Sequence, residues 1–336
     1  MDVVSDAIAA VRVGRPSSDR VRVHGRWCAR LAPYEGAGFH VVLEGGCRLF
    51  PDGGPPLSLG PGDVVLLPHG TGHVISDAGA ETVDLSRAVP YEEFAAGREG
   101  SGPIAAGDGS AVLEMLCGKY RLDRSRAHPL MAELPEVVHL PSRVGSHPEL
   151  RSAVELLGRE QGGRRPGSQV AVTALLDLLL VYMLRAWLAE GAGGAWPAVL
   201  GDPVAAAALR ALHADPAAPW TAERLASEAG VSRPTLARRF TSLVGRPPMA
   251  YLTWWRLTLA AAALRDTDDP LATVARHVGY GSPYAFSHAF TRAFGTTPGR
   301  YRAAGGGPVA APLAGTGAGS GVGSGLTKAG PAAVGS

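Results

Sequence analysis

The feature that most constrains this chain is an internal repeat in its last third. The segment LASEAGVSRPTLARRFTSLVGRPPMAY (Leu225 to Tyr251) aligns with VARHVGYGSPYAFSHAFTRAFGTTPGRY (Val274 to Tyr301) at a spacing of 49 residues, which becomes 50 after one extra residue, Gly281. Repetition of this kind predicts that the chain builds the same supersecondary unit twice. The pairs that match at the spacing of 50 are Ser232 and Ser282, Phe240 and Phe290, Thr241 and Thr291, Gly245 and Gly295, Pro248 and Pro298, and Tyr251 and Tyr301.

Each copy is predicted to form a helix-turn-helix. In the first copy Thr221 and Ser232 are N-caps of successive helices, Gly230 supplies the turn between them, and Gly245 ends the second helix. Because a helix turns by about 100° per residue, its apolar positions share one face and the positions between them point away. The inward positions of the second helix are Leu236, Phe240 and Leu243 in the first copy and Phe286, Phe290 and Ala293 in the second.

The motifs of the two copies resemble those of a known family. The first copy reads A(x)3GVS(x)3L(x)RxF and the second VA(x)2VGYGS(x)3F(x)3F(x)4GTTPGRYR, which is similar to the DNA-binding domain of AraC/XylS-type bacterial transcription regulators. The resemblance implies two helix-turn-helix units that are joined by a long helix and enter two successive major grooves. The matching connector is Leu252 to Leu264, whose Ala- and Leu-rich composition favours a helix.

The outward positions of each second helix are then the candidates for contact with DNA. Arg238 is the strongest base-reading candidate, because a guanidinium forms two hydrogen bonds to guanine and discriminates by ~1–3 kcal/mol. His288 occupies the matching position of the second copy. Its imidazole lacks the charged pair of N–H donors with which a guanidinium binds guanine. The complete base-reading set is Arg233, Pro234, Thr235, Ala237 and Arg238 with Tyr284, Ser287 and His288, and the phosphate contacts are Arg239, Arg246, Arg292, Arg300 and Arg302. The alternative for any one arginine is a solvated side chain or a structural ion pair.

The charge distribution supports this assignment. The net charge of the chain is only +2, but residues 202–304 hold 12 Arg and no Lys against 7 acidic residues, whereas residues 1–201 hold 19 basic and 23 acidic residues. The basic part coincides with the repeat, as a module that binds a polyanion requires. We therefore expect double-stranded DNA as the principal partner.

The amino-terminal part is predicted to be a β-sandwich or barrel. Residues 1 to about 141 alternate short strand-like runs with turn residues after a brief opening helix. The segment GDVVLLPHGTGHVISD (Gly62 to Asp77) resembles the second cupin motif, and FHVVLEG (Phe39 to Gly45) resembles the strand that closes the first. The metal-binding HxH of metal-dependent cupins is absent from LAPYEGAG (Leu31 to Gly38). The positions that match the second motif are Gly62, Pro68, Gly70 and His73, with Asp77 in place of Asn.

In the family that this chain resembles, such a barrel senses an effector. The candidate effector-binding residues are His40, Glu44, His69 and His73, and His40 and His73 are preferred for a polar or ionic ligand. These groups also have the chemistry for Zn, Fe or Mn. The alternative is that they are satisfied histidines of a barrel interior, and we expect no cofactor.

The cysteines and the hydropathy pattern bear on the cellular compartment. Three cysteines do not form a disulfide framework, and no basic segment followed by an apolar run opens the chain, so we expect a cytoplasmic protein that makes no membrane contact. Cys47 and Cys117 are taken to be reduced, Cys117 as a buried apolar group. A reversible disulfide between Cys28 and Cys117 stays an alternative if the fold brings them together.

Between the barrel and the repeat the pattern changes to helices. A helix is predicted to begin near Ser146 and Glu149, and a second from about Gln169 to Glu190 is apolar nearly all round. Such a helix must be covered on two sides. One side can pack on the barrel, and the resemblance implies that the other forms a homodimer, which Leu180→Glu or Leu184→Glu would split. The alternative is an intramolecular core helix.

These observations predict an α+β protein with two domains. We expect a cupin-like effector-sensing barrel in residues 1–142, a helical dimerisation and linker segment in 143–201, an all-α DNA-binding domain with two helix-turn-helix units in 202–304, and a disordered Gly/Ala-rich tail in 305–336. The predicted function is a sequence-specific transcription regulator that responds to a small-molecule effector and contacts RNA polymerase if it activates. The alternative is a metal-dependent cupin enzyme with an accessory DNA-binding domain; a methyl-accepting DNA-repair protein is disfavoured because every cysteine precedes residue 118.

Overall fold

The computed structural model describes residues 3–78, 85–95, 104–106, 112–122, 128–162, 165–191 and 196–304. The predicted tail, residues 305–336, lies outside these residues. The strands within them are β1 (Ser17–His24), β2 (Cys28–Leu31), β3 (Ala37–Glu44), β4 (Cys47–Pro51), β5 (Leu57–Leu59), β6 (Val64–Leu67), β7 (His73–Asp77), β8 (Val89–Pro90), β9 (Ile104–Ala106), β10 (Val112–Tyr120) and β11 (Val138–Leu140).

The helices precede, interrupt and follow these strands, and the predicted α+β architecture is confirmed. They are α1 (Val3–Val11), α2 (Tyr91–Ala95), α3 (Pro129–Ala132), α4 (Pro148–Gly162), α5 (Ser168–Glu190), α6 (Trp196–Gly201), α7 (Pro203–Ala214), α8 (Ala222–Glu228), α9 (Arg233–Val244), α10 (Pro248–Asp266), α11 (Leu271–His277), α12 (Pro283–Phe294) and α13 (Pro298–Ala303). Residues 3–191 are called the sensor domain below, and residues 202–304 the DNA-binding domain.

The strands of the sensor domain form two facing sheets. The larger has the order β11-β6-β3-β10-β1-β9 and the smaller β5-β4-β7-β2-β8. Successive side chains of a strand point to opposite faces, so a central strand serves two cores. In β3, Val42 packs in the cluster between the two sheets, whereas Phe39 and Val41 pack on the other side, against helices. This double burial explains why β3 and β6 are apolar without alternation.

A glycine of the cupin motif allows two backbone segments to approach closely at the end of the barrel. Gly70 has φ +61°, and a Cβ at this position would lie 2.1 Å from the carbonyl oxygen of Tyr34. The Gly70 carbonyl in turn accepts a hydrogen bond from the Tyr34 N–H, at 3.1 Å. Only glycine allows both the left-handed backbone and this approach.

The helix α5 is covered mainly within the chain. It packs against α4, α1, α6 and β11, and the Tyr120 hydroxyl of the large sheet donates to the Leu176 carbonyl at 2.8 Å. Leu180 and Leu184 are 1% and 0% exposed, so the choice of these residues as dimer contacts was wrong: both belong to the core. The helix is long and apolar enough to cross a membrane by composition, yet here its face from Leu176 to Trp187 packs inside the fold.

The DNA-binding domain confirms the predicted caps of the repeat. The Thr221 side chain accepts a hydrogen bond from the Arg224 N–H, and Ser232 accepts from the Thr235 N–H. Gly245 ends α9 in the left-handed region, at φ +78°. The connector is longer than the predicted segment, because α10 runs from Pro248 to Asp266.

The two helix-turn-helix units differ in how they are attached. Buried apolar residues of α7 to α10, including Phe240 and Trp255, belong to the same core as Val3, Ala7 and the α4–α5 pair of the sensor domain. Buried residues of the second unit, including Phe286 and Phe290, form a separate core with the end of α10. The first unit is therefore packed on the sensor domain, and the second is carried by α10.

Candidate DNA-binding and effector sites

The first candidate surface is the outer face of α9. Leu236 and Phe240 are buried as the 3.6-residue period requires, and Leu243 is half-buried against the same core. Arg238 and Ala237 are exposed on the other side. Of the predicted base-reading residues of the first copy, Arg233, Pro234, Ala237 and Arg238 are therefore exposed on α9, whereas Thr235 is half-buried.

The arginines of this surface are in different electrostatic states. Arg233 pairs with Glu223 of α8 at 2.9 Å, with both side chains about two-thirds exposed, and Arg239 pairs with Asp202 at 3.2 Å. The pKa of the Glu223 carboxyl is lowered mainly by a hydrogen bond from its own backbone and further by the neighbouring Arg233. Arg238 forms no ion pair with any described residue. Its guanidinium is therefore available to a ligand.

The second candidate surface is the outer face of α12. Tyr284 is 84% exposed, His288 is exposed, and Ser287 is half-buried, while Phe286 and Phe290 lie in the core. This surface presents a phenol and an imidazole where the first presents a guanidinium. These two side chains are better suited to hydrogen bonds and apolar contacts with DNA than to an ionic contact.

The five predicted phosphate contacts separate into two groups. Arg239, Arg292 and Arg300 are exposed. Arg246 is half-buried with its guanidinium 5.2 Å from the centre of the Trp254 ring, and Arg302 donates to the Asp269 carbonyl at 2.5 Å. Arg246 and Arg302 therefore already have structural contacts, as does Arg239 through its ion pair with Asp202.

The candidate effector site is a cavity of about 220 Å³ between the two sheets. His40 and His73 are buried at its inner end, and the exposed Lys119 and Glu92 stand at its mouth. The structure thus brings together the two histidines that the sequence singled out. The other lining residues are Ser17, Asp19, Leu31, Ala32, Pro33, Tyr34, Gly38, Tyr91, Cys117 and Gly118.

The two histidines form one directed chain of hydrogen bonds. His73 Nδ1–H donates to the Thr71 carbonyl at 2.9 Å, which leaves its Nε2 as an acceptor for His40 Nε2–H at 2.8 Å. His40 Nδ1, 3.2 Å from the sulfur, is then the acceptor for the Cys117 S–H. Burial lowers the pKa of both histidines, for His40 with a further contribution from His73. Both rings are therefore neutral, and all four ring nitrogens have partners.

This arrangement does not fit a metal centre. A catalytic or structural metal needs three or four protein ligands. The described residues contain no group of three His, Cys, Asp or Glu side chains that could hold an ion. The pair of His40 and His73 falls one ligand short.

Two of the predicted effector contacts lie elsewhere. Glu44 is exposed at the end of β3, opposite Glu114 of β10. The His69 ring donates from Nε2 to the Leu134 carbonyl at 2.7 Å. Neither side chain lines the cavity, because the sequence motif gives the order of strands and not which loop turns toward the opening.

Sequence reasoning missed Tyr34. Its side chain lines the cavity, and its hydroxyl oxygen is buried with no hydrogen-bond partner among the described residues. Burial raises the pKa of this phenol, so it is neutral. A buried polar group without a partner is uncommon and needs an explanation. Tyr34 lies in a Pro- and Gly-containing loop, and no periodicity could have pointed to it.

The buried thiols are poorly suited to redox chemistry. Burial, with a smaller contribution from Asp63, raises the pKa of Cys47 to about 12, and burial also raises the pKa of Cys117. The thiolate is the reactive form of cysteine. Cys28, in contrast, is half-exposed at the start of β2. None of the three cysteines forms a disulfide with another described residue.

Comparisons with known proteins show which families the two domains match. The sequence matches the Cupin family over residues 2–189 and the helix-turn-helix domain family over residues 225–304. It is 35% identical over 305 residues to a Streptomyces lividans protein that carries the name AraC-like transcription regulator, covering 90% of this chain and 98% of that one. It is 29% identical over 306 residues to the HTH-type transcriptional regulator AlkR of Acinetobacter baylyi, covering 90% of this chain and 99% of AlkR. The DNA-binding domain of AdpA, solved with a target DNA, is 36% identical with a TM-score of 0.29, and the match covers 31% of this chain and 93% of that domain.

Proposed function

This chain belongs to the AraC-like family of DNA-binding transcription regulators, and we propose that it reads two successive major grooves and responds to a small molecule in its cupin cavity. The observation that carries the DNA proposal is the pair of outward faces on α9 and α12, at matching positions of the repeat. The second helix of such a unit enters a major groove. Residues 202–304 hold the excess of positive charge that attracts phosphate.

Within this proposal the contacts fall into three classes. Arg238 reads a base edge in the first groove, and Tyr284, Ser287 and His288 supply the reading in the second. Arg292 and Arg300 bind phosphates, since they are exposed, and Arg239 does so when it leaves its ion pair with Asp202. Arg233 reads DNA only if it leaves Glu223, which costs little because an ion pair between exposed side chains is screened by water and salt.

The experiment that tests this function is selection of bound duplexes from a random-sequence library by the full-length chain. We expect a two-part motif whose halves lie about 10 base pairs apart, because the units meet neighbouring turns of one duplex. Affinity for the selected duplex should fall steeply with salt. Failure to enrich any sequence over a scrambled library, or an affinity that ignores salt, would contradict the proposal.

The effector proposal rests on the cavity and on a buried hydroxyl in its wall. His40 and His73 use their ring nitrogens on each other and on Cys117 and Thr71, whereas the Tyr34 hydroxyl has no hydrogen-bond partner among the described residues. A small ligand with one polar atom against Tyr34 suits a cavity of this size. The charged side chains at the mouth would meet the other end of the ligand.

Thermal unfolding of the full chain against a library of small metabolites tests the effector site. A ligand at one hundred times its Kd stabilises the native state by ~2.7 kcal/mol and raises the Tm. A cavity ligand should raise the Tm of the wild-type protein and of Tyr182→Phe, a change on α5 outside the cavity, by more than that of Tyr34→Phe. Equal increases in all three proteins would place the ligand elsewhere.

We also place a homodimer contact on α5, at the stripe that the fold leaves open. Val170 is 77% exposed and Leu178 is 40% exposed, with Ala174 between them at helical spacing. The family that this chain resembles commonly dimerises through this segment.

A regulator that binds DNA works in the cytoplasm, and it meets RNA polymerase there if it activates.

A further inference from the structure

Four buried polar side chains meet where the sensor domain packs on the first helix-turn-helix unit. Asp6 of α1 and His128, which precedes α3, belong to the sensor domain, whereas His213 of α7 and Tyr251 of α10 belong to the DNA-binding domain. Each of the four is at most 4% exposed. Buried polar groups depend on partners inside the protein, so their hydrogen bonds determine which proton states this interface tolerates.

The hydrogen bonds form a chain with one direction. The Leu130 N–H donates to His128 Nδ1 at 3.1 Å, so the His128 proton is on Nε2 and is donated to the Tyr251 oxygen at 2.8 Å. The Tyr251 hydroxyl donates to His213 Nε2 at 2.7 Å, and His213 Nδ1–H donates to the Asp6 carboxylate at 2.9 Å. Every donor in the chain has one acceptor, provided that both imidazoles are neutral.

The surroundings of His128 leave no room for a second proton on its ring. A proton on His128 Nδ1 would meet the Leu130 N–H, donor against donor, and would remove the cap of α3. The walls are aromatic: the His128 ring lies 5.2 Å from Trp196, and the His213 ring stacks on Trp255 at 4.5 Å.

The same cluster touches the first reading helix. The Tyr251 ring lies edge-on to Phe240 of α9, with 5.7 Å between the ring centres. Phe240 is fully buried directly beneath the DNA-facing side of that helix. Tyr251 therefore joins the sensor domain, through its hydroxyl, to the support of α9, through its ring.

The geometry points to an acid-labile latch between the sensor domain and the first reading unit: Asp6, His128, His213 and Tyr251 hold the two together while the His128 imidazole is neutral, and a proton taken up by His128 at acidic pH releases them. Tyr251 is a positioning residue in this latch, since it acts on DNA only through α9. The charged groups that face the cluster are Asp6 of α1 and Arg246, which lies between α9 and α10.

The direction of the pH effect follows from His128. Burial, with smaller contributions from His213 and Arg246, holds the pKa of His128 well below its usual value. A group whose pKa is lower in the closed state than in the open state stabilises the closed state fully above the ordinary imidazole pKa of about 6.5, and the stabilisation is lost as the pH falls below it. For one proton, the equilibrium constant for opening rises about tenfold per pH unit in that window.

Hydrogen exchange of the full-length wild-type chain tests the latch. Amide protection of α1, corrected for the intrinsic pH dependence of exchange, should be constant from about pH 8 to 7 and fall about tenfold per unit below about pH 6.5. Protection of α12 is the internal reference, because the second unit has a separate core. Protection of α1 that ignores pH, or that falls in step with α12, would overturn the proposal.

Variants separate the latch from general stability. Tyr251→Phe removes the hydroxyl that joins the two imidazoles and should lower α1 protection at pH 7.5 at least fivefold, whereas Tyr301→Phe, the same change at the matching position of the repeat, should leave α1 unchanged. His128→Asn keeps an acceptor for the Leu130 N–H but cannot titrate, so its α1 profile should be flat in pH. The latch is refuted if Tyr251→Phe leaves the amide protection of α1 unchanged. It is also refuted if the protection of α1 in His128→Asn depends on pH as steeply as in the wild type. If either variant fails to fold, the pH dependence of α1 protection in the wild-type protein decides.

Discussion

At the scale of single residues, DNA recognition depends on which arginines have a guanidinium that is not already in an ion pair within the protein. The first unit carries Arg233, Arg238 and Arg239 within one helix. Two of them pair with Glu223 and Asp202, which come from other helices. Arg238 faces outward and has no such partner among the described residues. Its guanidinium is therefore the one best placed to donate two hydrogen bonds to the edge of a guanine.

We predict that Arg238→Ala lowers affinity for the selected duplex by ~1–3 kcal/mol and leaves most of the non-specific affinity in place. Fluorescence anisotropy with the selected and the scrambled duplex, at one fixed salt concentration, measures both values. Arg292→Ala, a change at an exposed predicted phosphate contact, is the control, because a lost phosphate contact weakens binding to both duplexes alike. Equal losses on both duplexes for Arg238→Ala would make Arg238 a phosphate contact.

The residue scale also shows how far the sequence could identify the sites. Helical period placed Leu236 and Phe240 inside and Arg238 outside, because that assignment needs only the geometry of one helix. The period could not show that Arg233 meets Glu223, since the pairing depends on how α8 and α9 cross. For the same reason Tyr34 was missed and Glu44 was included in error.

At the scale of elements, α5 shows how a helix that is apolar all round is accommodated. Its inner face packs on the large sheet, and α1, α4 and α6 cover most of the rest. What stays open is a narrow stripe through Val170 and Leu178. Composition alone predicted the need for cover on two sides, but the fold supplied most of that cover from within the chain.

We predict that Leu178→Glu and Leu180→Glu, two residues apart on α5, have opposite consequences. Leu178→Glu places a charge on the open stripe and should give a folded monomer, seen by sedimentation equilibrium together with an unchanged circular dichroism spectrum. Leu180→Glu buries an unpaired carboxylate in a site that is 1% exposed and should destabilise the fold by several kcal/mol. A Leu178→Glu protein that sediments like the wild type would exclude this stripe as the dimer contact.

At the scale of the whole molecule, the two helix-turn-helix units are not equivalent. The first shares a continuous core with the sensor domain, whereas the second has a core of its own. A change in the sensor domain can therefore reach α9 through packed side chains of one core, whereas α12 belongs to a separate core that the end of α10 joins. Such a connection is a physical route for coupling effector binding to DNA reading.

We predict that a fragment of residues 202–304 keeps the second unit and loosens the first. Removing α1 and α6 exposes apolar faces of α7, α9 and α10 to water. Hydrogen exchange should show lower protection in α9 than in the full chain, and unchanged protection in α12. The fragment 196–304 restores α6 and should recover part of the protection of α9. Equal protection of α9 in the fragment and in the full chain would show that the shared core contributes nothing to the first unit.

By itself the sequence determined the repeat, the caps of its helices, the inward and outward faces of α9 and α12, and the cupin motif around Gly70. These features follow from periods and turns within a few residues of one another, so local geometry suffices to deduce them. Only the tertiary structure decided that Asp6 meets His213, that His40 meets His73 and Cys117, and which side of α5 is left open. Those contacts join residues that are tens to hundreds of positions apart, and their partners are chosen by the packing of whole elements.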